Sequence, residues 1–540
     1  MSAVTSAAAV STPPPLTDVL AQESSQPGVL GAIENAINSA FTPISDAVST
    51  FVFDVGFPVA GTTFPWIVAW LVLAAVVFTG YFGFVQARSF GLALKIVRGK
   101  YTRKDEQGEI THFQALSSAL SGTVGLGNIA GVGVAMTIGG PGATFWMVLV
   151  GLFSMCTKFV ECTLGVRYRE IHEDGTVSGG PMHYLRKGVA EQIPNRFGAI
   201  LGKTLAVLAA IFLLCFGIGG GNMFQANQTF ALLQDVTGGE EGLLGGAGAA
   251  TIFGVILAAV VGAVIFGGIK VIGKVTSRLV PAMGIVYVLG CLTVIVVNID
   301  QVPAAIGAIF AGAFAAEGVV GGIVGAMIVG FTRAAFSNEA GLGSAPIAHS
   351  AVRTDNPVTE GYVALLEPFV DTVVVCTMTA LTIIIAGSAF WNEAQATYLA
   401  TEEEPDGVVV TSSAFETVVP WFPYVLVVAV ALFAISTMIT WGYYGQKAWT
   451  YLFGKSLMAE RIYQAVFCFF IVVGSVLTLS SVLNFADAVL FLLALFNILG
   501  LYILAPVVKQ EMRAFRRKMD SGEVKEVDRE EPEGKVGSGH

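Results

Sequence analysis

Two segments of otherwise apolar sequence hold residues able to bind a small polar molecule: Gly122-Thr-Val-Gly-Leu-Gly-Asn128 and Ser337-Asn-Glu-Ala-Gly-Leu-Gly343. Small residues follow each one, Ile129-Ala130-Gly131 and Ser344-Ala345-Pro346. Gly, Asn, Ser and Pro set this close together do not sustain a regular helix. A helix interrupted there starts its second half with free N–H groups and the positive end of its dipole, which suit a carboxylate. Its first half ends in free C=O groups, which suit Na⁺ or an ammonium. That is the chemistry of a zwitterion held with a cation. Gly125-Leu-Gly-Asn-Ile-Ala130 also fits a GxGxxA dinucleotide fingerprint, but that motif needs a strand–turn–helix unit, and here both flanks are apolar helix.

Charges inside the apolar stretches are few, and each invites a functional reading because a central one costs roughly 2.5–3.5 kcal/mol to insert. Lys158 and Glu161 stand at i,i+3 and are expected to pair, or to form a gate. Glu367 and Asp371, at i,i+4, are expected near the Lys/Arg-rich interface as part of a gate or ion path. Glu339 lies in the second break, placed to cap the following half-helix or to hold a cation or proton. Arg333 stands about one turn before Ser337. Gln225 follows Gly219-Gly-Gly221, and an amide buried there must find partners. His172, His183 and His349 read as interface residues at the Lys/Arg-rich ends, while His112 and His540 carry no signal. No HExxH, GxSxG or Cys/His metal spacing occurs, which argues against an intramembrane enzyme and leaves Na⁺ as the only expected metal and no cofactor.

The elements that must position these residues are membrane helices. The chain has 540 residues, 54% hydrophobic and 13% charged, against about 25% charged in soluble domains. Eleven apolar stretches are expected to span the membrane: 63–86, 113–138, 141–168, 199–235, 247–269, 279–298, 318–351, 358–388, 418–452, 462–482 and 485–508. Residues 1–30 read as disordered, 31–57 as an amphipathic surface helix, 58–508 as the transport domain and 509–540 as a tail. Lys and Arg crowd alternate loops, from Arg88–Lys104 to the tail at Lys509, Arg513 and Arg516. The other set (1–62, 236–246, 299–317 and 389–417) contains neither. This bias places the N-terminus outside and the C-terminus in the cytoplasm of a cell membrane.

Gly125 and Gly341 are 216 positions apart (341 − 125), and Met155-Cys156-Thr157 resembles Val375-Cys376-Thr377 at an offset of 220 (375 − 155). Residues 108–300 therefore read as one five-span unit and 301–508 as its copy, entering from the opposite side. An inverted repeat with matched breaks is the pattern of a secondary transporter. An exchanger or exporter on the same fold, a channel and a membrane enzyme are the competing readings.

Longer motifs carry a family resemblance. Gly125-Leu-Gly-Asn-Ile-Ala-Gly131, Gly139-Gly-Pro-Gly-Ala-Thr-Phe-Trp-Met147, Thr157-Lys-Phe-Val-Glu161, Gly221-Asn-Met-Phe-Gln-Ala-Asn227, Phe336 to Pro346 and Thr440-Trp-Gly-Tyr-Tyr-Gly445 together resemble the alanine/glycine:cation symporter family over residues 60–508. The resemblance implies a leucine-transporter-type fold of five plus five helices with one extra span in front. It also implies import of alanine or glycine with Na⁺, or H⁺ in some members. Carried over by motif, Gly125, Gly127, Asn128, Gln225, Thr437 and Trp441 would line the substrate site. By analogy with the wider fold, Ser436 and Thr437 would share Na⁺ with carbonyls near Gly122 and Thr123. The last span departs from the pattern after Asn484-Phe-Ala-Asp487, where Ala488 to Asn497 is almost wholly apolar.

Overall fold

The computed structural model describes residues 29–526, apart from 60–61, 102, 104–105, 174, 266–267 and 316–321. The segment expected to be disordered, 1–30, falls almost wholly outside these residues, as do residues 527–540 of the tail. Helices dominate, with two short antiparallel hairpins, Gly56–Val59 with Thr62–Pro65 and Glu170–Ile171 with Val177–Ser178. Seven described helices are long and apolar enough to cross a membrane, and the bent pair His112–Thr123 and Leu126–Ile138 makes an eighth crossing. The shorter apolar helices Trp66–Tyr81 and Ala249–Ile265, and the interrupted stretch Gly322–Asn338 with Ala345–His349, stand at three further expected spans.

The second span starts at a capping box, in which Thr111 Oγ1 accepts from Gln114 N–H and Gln114 Oε1 accepts from Thr111 N–H. Its helix stops at Thr123, and after Val124 and an extended Gly125 a single 3₁₀ turn, Leu126–Asn128, leads into Ala130–Ile138, bent by 58°. The seventh span breaks differently. Glu339, Gly341 and Gly343 take φ of +54°, +95° and +76°, and the helix restarts at Ala345 with Pro346 in its first turn.

Two other helices contain wider π turns. The fourth, Arg196–Val236, passes through one at Gly219–Met223, and the eighth, Pro357–Ala386, through one at Phe369–Cys376. At about 1.5 Å per residue, the 41 residues of the fourth helix exceed a bilayer, in line with the expectation that this stretch must tilt or protrude.

Some boundaries differ from expectation. The tenth helix is Leu457–Val476 and the last is Leu479–Asp520, so the turn falls at Leu477 and Thr478, inside the stretch expected as the tenth span. Hydropathy has no mark there, because the turn is fixed by a distant residue: Asn38 accepts from Thr478 N–H and donates to Val476 O. Asn38 lies on the helix Val29–Phe53, which also bonds Ser481 O through Ser45 and packs Phe41 on Phe485. The amphipathic helix thus packs on protein as well as presenting Val29, Ile44 and Phe51 outward. The stretches 299–317 and 389–417, read as loops, contain helices Val302–Phe314, Ala389–Thr401 and Gly407–Glu416.

Candidate functional site

The two breaks meet at Asn128. Its Oδ1 accepts from Gly125 N–H at 2.9 Å, and its Nδ2 donates to Ser337 Oγ at 2.9 Å and to Asp371 Oδ1 at 2.6 Å. Ser337 Oγ donates to Asp371 Oδ2 at 2.7 Å, as does Thr372 Oγ1, and Asn338 Nδ2 donates to Thr372 Oγ1. All five residues are buried. A buried carboxylate must be hydrogen-bonded or paired, and here one amide and two hydroxyls meet that need. Asp371 therefore does not lie near the Lys/Arg-rich interface. It sits in the middle of Pro357–Ala386, where the π turn carries it to the junction of the two breaks.

Around the first break, Gln225 Oε1 accepts from Leu126 N–H at 3.3 Å and its Nε2 donates to Gly220 O at 3.0 Å. Gly125 is a glycine for space, not for φ, since a Cβ there would stand 2.6 Å from Thr437 Oγ1 and 3.3 Å from Gln225 Oε1. Gly127 packs against Phe336 and Ser337 of the other break. Trp441 fits against Gly217 and Gly221, is edge-on to Phe216 at 4.9 Å, and donates Nε1 to Glu339 Oε1 at 3.1 Å. The six residues expected to line the substrate site thus surround the two breaks, with Asn128, Gln225 and Thr437 meeting at Gly125.

The expected sodium residues are placed less uniformly. Thr437 Oγ1 donates to Ser121 O at 3.0 Å, beside the C-terminal carbonyls of the first half-helix, where Gly122 and Thr123 lie. Ser436 Oγ instead donates back to Phe433 O, and Thr123 Oγ1 back to Ala119 O. The hydroxyls that do face each other across this seam belong to Ser121 and Thr440, at 3.1 Å. Both escaped the sequence reading. Ser121, one turn before Gly125, and Thr440, three residues after Thr437, were the available signals.

The charged candidates are rearranged. Lys158 does not pair with Glu161; its Nζ lies 3.2 Å from Glu367 Oε2. Glu161 Oε1 accepts from Gly343 N–H and from Asn497 Nδ2, both at 2.7 Å, and Asn497 Nδ2 also donates to Gly341 O at 2.8 Å. The capping role expected of Glu339 therefore belongs to Glu161. The left-handed backbone at Glu339 turns its carboxylate to Trp441 and to Ser344 Oγ at 2.7 Å. On the other side of the breaks, Arg333 pairs with Asp487 and lies over the Phe336 ring at 5.3 Å. His349 is not the interface residue expected, and His112, which carries no signal in the sequence, joins it. Both are buried, His112 against Glu360 and His349 between Glu360 and Glu367.

Comparison with known proteins places this geometry. Residues 50–529 match the model of the sodium:alanine symporter family. The sodium/alanine symporter AgcS of Methanococcus maripaludis is 37% identical over 453 residues, 84% of this chain and 94% of that protein. A Bacillus subtilis relative, named "Probable sodium/glutamine symporter GlnT", is 30% identical over 450 residues, 83% of this chain and 87% of its own. Among solved structures, MhsT in complex with L-phenylalanine superposes with a TM-score of 0.50 at 14% identity, covering 76% of this chain and 99% of that one. At that identity the likeness is one of fold alone, the leucine-transporter type.

Proposed function

The chain belongs to the sodium:alanine symporter family and is a sodium-coupled amino-acid symporter, and from that premise we propose that it imports alanine or glycine by alternating access around its two broken helices. The observation that carries this reading is the junction at Asn128, where both breaks, Gln225, Thr437 and Asp371 converge out of contact with solvent. The N–H groups released after Gly125 suit the substrate carboxylate. Thr437 and Gln225 stand so close to Gly125 that they favour a small side chain, with Trp441 and Phe336 as apolar walls.

Two seams supply oxygen ligands for Na⁺. One joins the Ser121 carbonyl to the Thr437 hydroxyl and the Ser121 hydroxyl to that of Thr440, next to Gly122 and Thr123 at the end of the first half-helix. The other joins Asp371 to Ser337 and Thr372, a carboxylate with two hydroxyl oxygens of the hard type that Na⁺ takes. Lys158–Glu367 and the Glu161 cap close the Lys/Arg-rich side, and Arg333–Asp487 closes the other. Charge bias makes the first of these the cytoplasmic side, with the N-terminus outside.

Uptake into proteoliposomes tests the reading. Alanine and glycine should accumulate when Na⁺ is imposed outside and should not when choline replaces it, with glutamine weaker. Accumulation indifferent to both Na⁺ and H⁺ gradients would overturn symport, and counterflow without net accumulation would make the protein an exchanger.

A further inference from the structure

Four buried titratable side chains form one unbroken chain on the Lys/Arg-rich side of the second break. His112 Nδ1 faces Glu360 Oε2, Glu360 Oε1 lies 2.5 Å from His349 Nδ1, and His349 Nε2 lies 2.5 Å from Glu367 Oε1. The exposures of these residues run from 0% to 2%, so water does not complete the contacts.

Each contact joins a ring nitrogen to a carboxylate oxygen. A bare nitrogen facing an ionised carboxylate repels it, so every such contact must contain a proton. Three contacts therefore need three protons. Two neutral imidazoles bring one N–H each, and two ionised carboxylates bring none. The chain holds one proton more than its neutral imidazoles supply. Lys158, 3.2 Å from the second oxygen of Glu367, keeps that carboxylate ionised, and Glu360 already accepts from two rings. The extra proton belongs on His349, the only ring with both nitrogens against carboxylates. His112 agrees with this count, since its Nε2 is buried without a partner, as in a neutral ring whose one proton is spent on Glu360.

We propose that His112, Glu360, His349 and Glu367 form a buried binding site for one exchangeable proton, and that this proton latches the second broken helix to the eighth. His349 is the last residue of the half-helix Ala345–His349, and Glu360 and Glu367 lie in the first three turns of the eighth helix, so loss of the proton leaves one of the two contacts of His349 attractive and makes the other repulsive. The other described groups facing the site are Glu106 beside His112, Lys158, Glu161 and Cys162 from the third helix and Tyr444 from the ninth, with Arg169 near Glu360 clamping Ser350 O and Val352 O at its edge. Cys162, His349 and Glu367 bring their ligand atoms within 4.8 Å, but His349 Nε2 is already spent on Glu367 Oε1 and the other oxygen of Glu367 on Lys158, which leaves a metal no free imidazole or carboxylate. The proton count stands without the transport reading; the effect of the latch on uptake rests on it.

The first test is nitrogen NMR of the full chain, ¹⁵N-labelled at its five histidines, in lipid bilayers. At neutral pH the spectrum should contain one doubly protonated ring, and it should vanish in His349→Gln. A spectrum of neutral rings alone would overturn the site, even if alanine uptake proves normal. The second test is uptake against pH on the face bearing the basic loops. Wild-type uptake should rise with pH by up to about tenfold per unit, the slope of one proton, and Glu360→Gln should flatten that slope. Parallel profiles for wild type and variant would overturn the latch while leaving the symporter reading intact.

Discussion

Asn128 makes more of the site than any other side chain, because a single amide bonds backbone of the first break, a hydroxyl of the second and the carboxylate of Asp371. Asn128→Ala leaves Asp371 with two hydroxyl donors and Gly125 N–H without its acceptor. Hydrogen bonds to charged groups contribute about 1.5–3 kcal/mol, so apparent Na⁺ or substrate affinity should fall roughly 10- to 100-fold. Gln225→Ala frees Leu126 N–H in the same way and should abolish uptake without changing the size-exclusion profile. Wild-type uptake by either variant would remove that residue from the site. These two residues stood out because they follow glycines in apolar stretches, whereas Thr437 and Trp441 came only with the family resemblance. Asp371 was misplaced because the sequence gives its distance from a span end but not the π turn that carries it inward. His112 was silent for a different reason: its partner Glu360 is 248 residues away, and nothing local distinguishes a ring at a helix start from one at an interface.

At the scale of elements, the two Gly-Leu-Gly segments were legible as breaks but not as conformations. Glycine permits both extended and left-handed backbone, so the choice falls to neighbours. Thr437 presses on an extended Gly125, whereas Glu161 and Asn497 bind the backbone of a left-handed Gly341–Gly343 turn. The same substitution should therefore fail at the two sites for different reasons. Gly125→Ala meets Thr437 Oγ1 at 2.6 Å, and Gly343→Ala combines φ of +76° with a contact of 2.9 Å to Tyr184. Overpacking of this kind costs about 1–3 kcal/mol. Gly131→Ala, in the helix just beyond the first break with nothing within 4 Å, is the control. It should be neutral or stabilise by up to about 1 kcal/mol. Thermal unfolding of the three variants in detergent checks the order; equal losses at Gly125 and Gly131 would mean that space at the break is not limiting. A third element problem is the Lys158–Glu367 pair. Lys158→Met leaves one oxygen of the buried Glu367 carboxylate without its cation while His349 holds the other, a loss of up to about 3–5 kcal/mol, and Lys158→Met with Glu367→Gln should recover part of it. No recovery in the double variant would show that Lys158 serves mainly Glu161.

For the whole molecule, the decisive quantity is how much charge crosses with the substrate. A zwitterion carries no net charge, and the ion pairs on the two sides of the breaks, Lys158–Glu367 and Arg333–Asp487, are each neutral as units. Whatever charge moves is then set by the ions that come with the substrate. One Na⁺ entering an inside-negative compartment gains about 2.3 kcal/mol per 100 mV, which is about fiftyfold in accumulation at tenfold per 1.4 kcal/mol. A latch that released its proton to the basic side on each cycle would bring a second charge inward only if that proton were reloaded from the opposite side. His112, Glu360 and Glu367 all lie on the Lys/Arg-rich side of the Asn128 junction, and no described side chain of that chain reaches across to Arg333. The proton is therefore expected to return to the side it came from, adjusting rate without adding charge. Alanine uptake driven by potassium diffusion potentials should accordingly respond to voltage with the charge of Na⁺ alone, and the steady-state accumulation should be the same in His349→Gln as in the wild type even where the rates differ. A lower accumulation ratio in the variant, at equal Na⁺ gradient and voltage, would mean that the proton crosses the membrane and is a coupling ion.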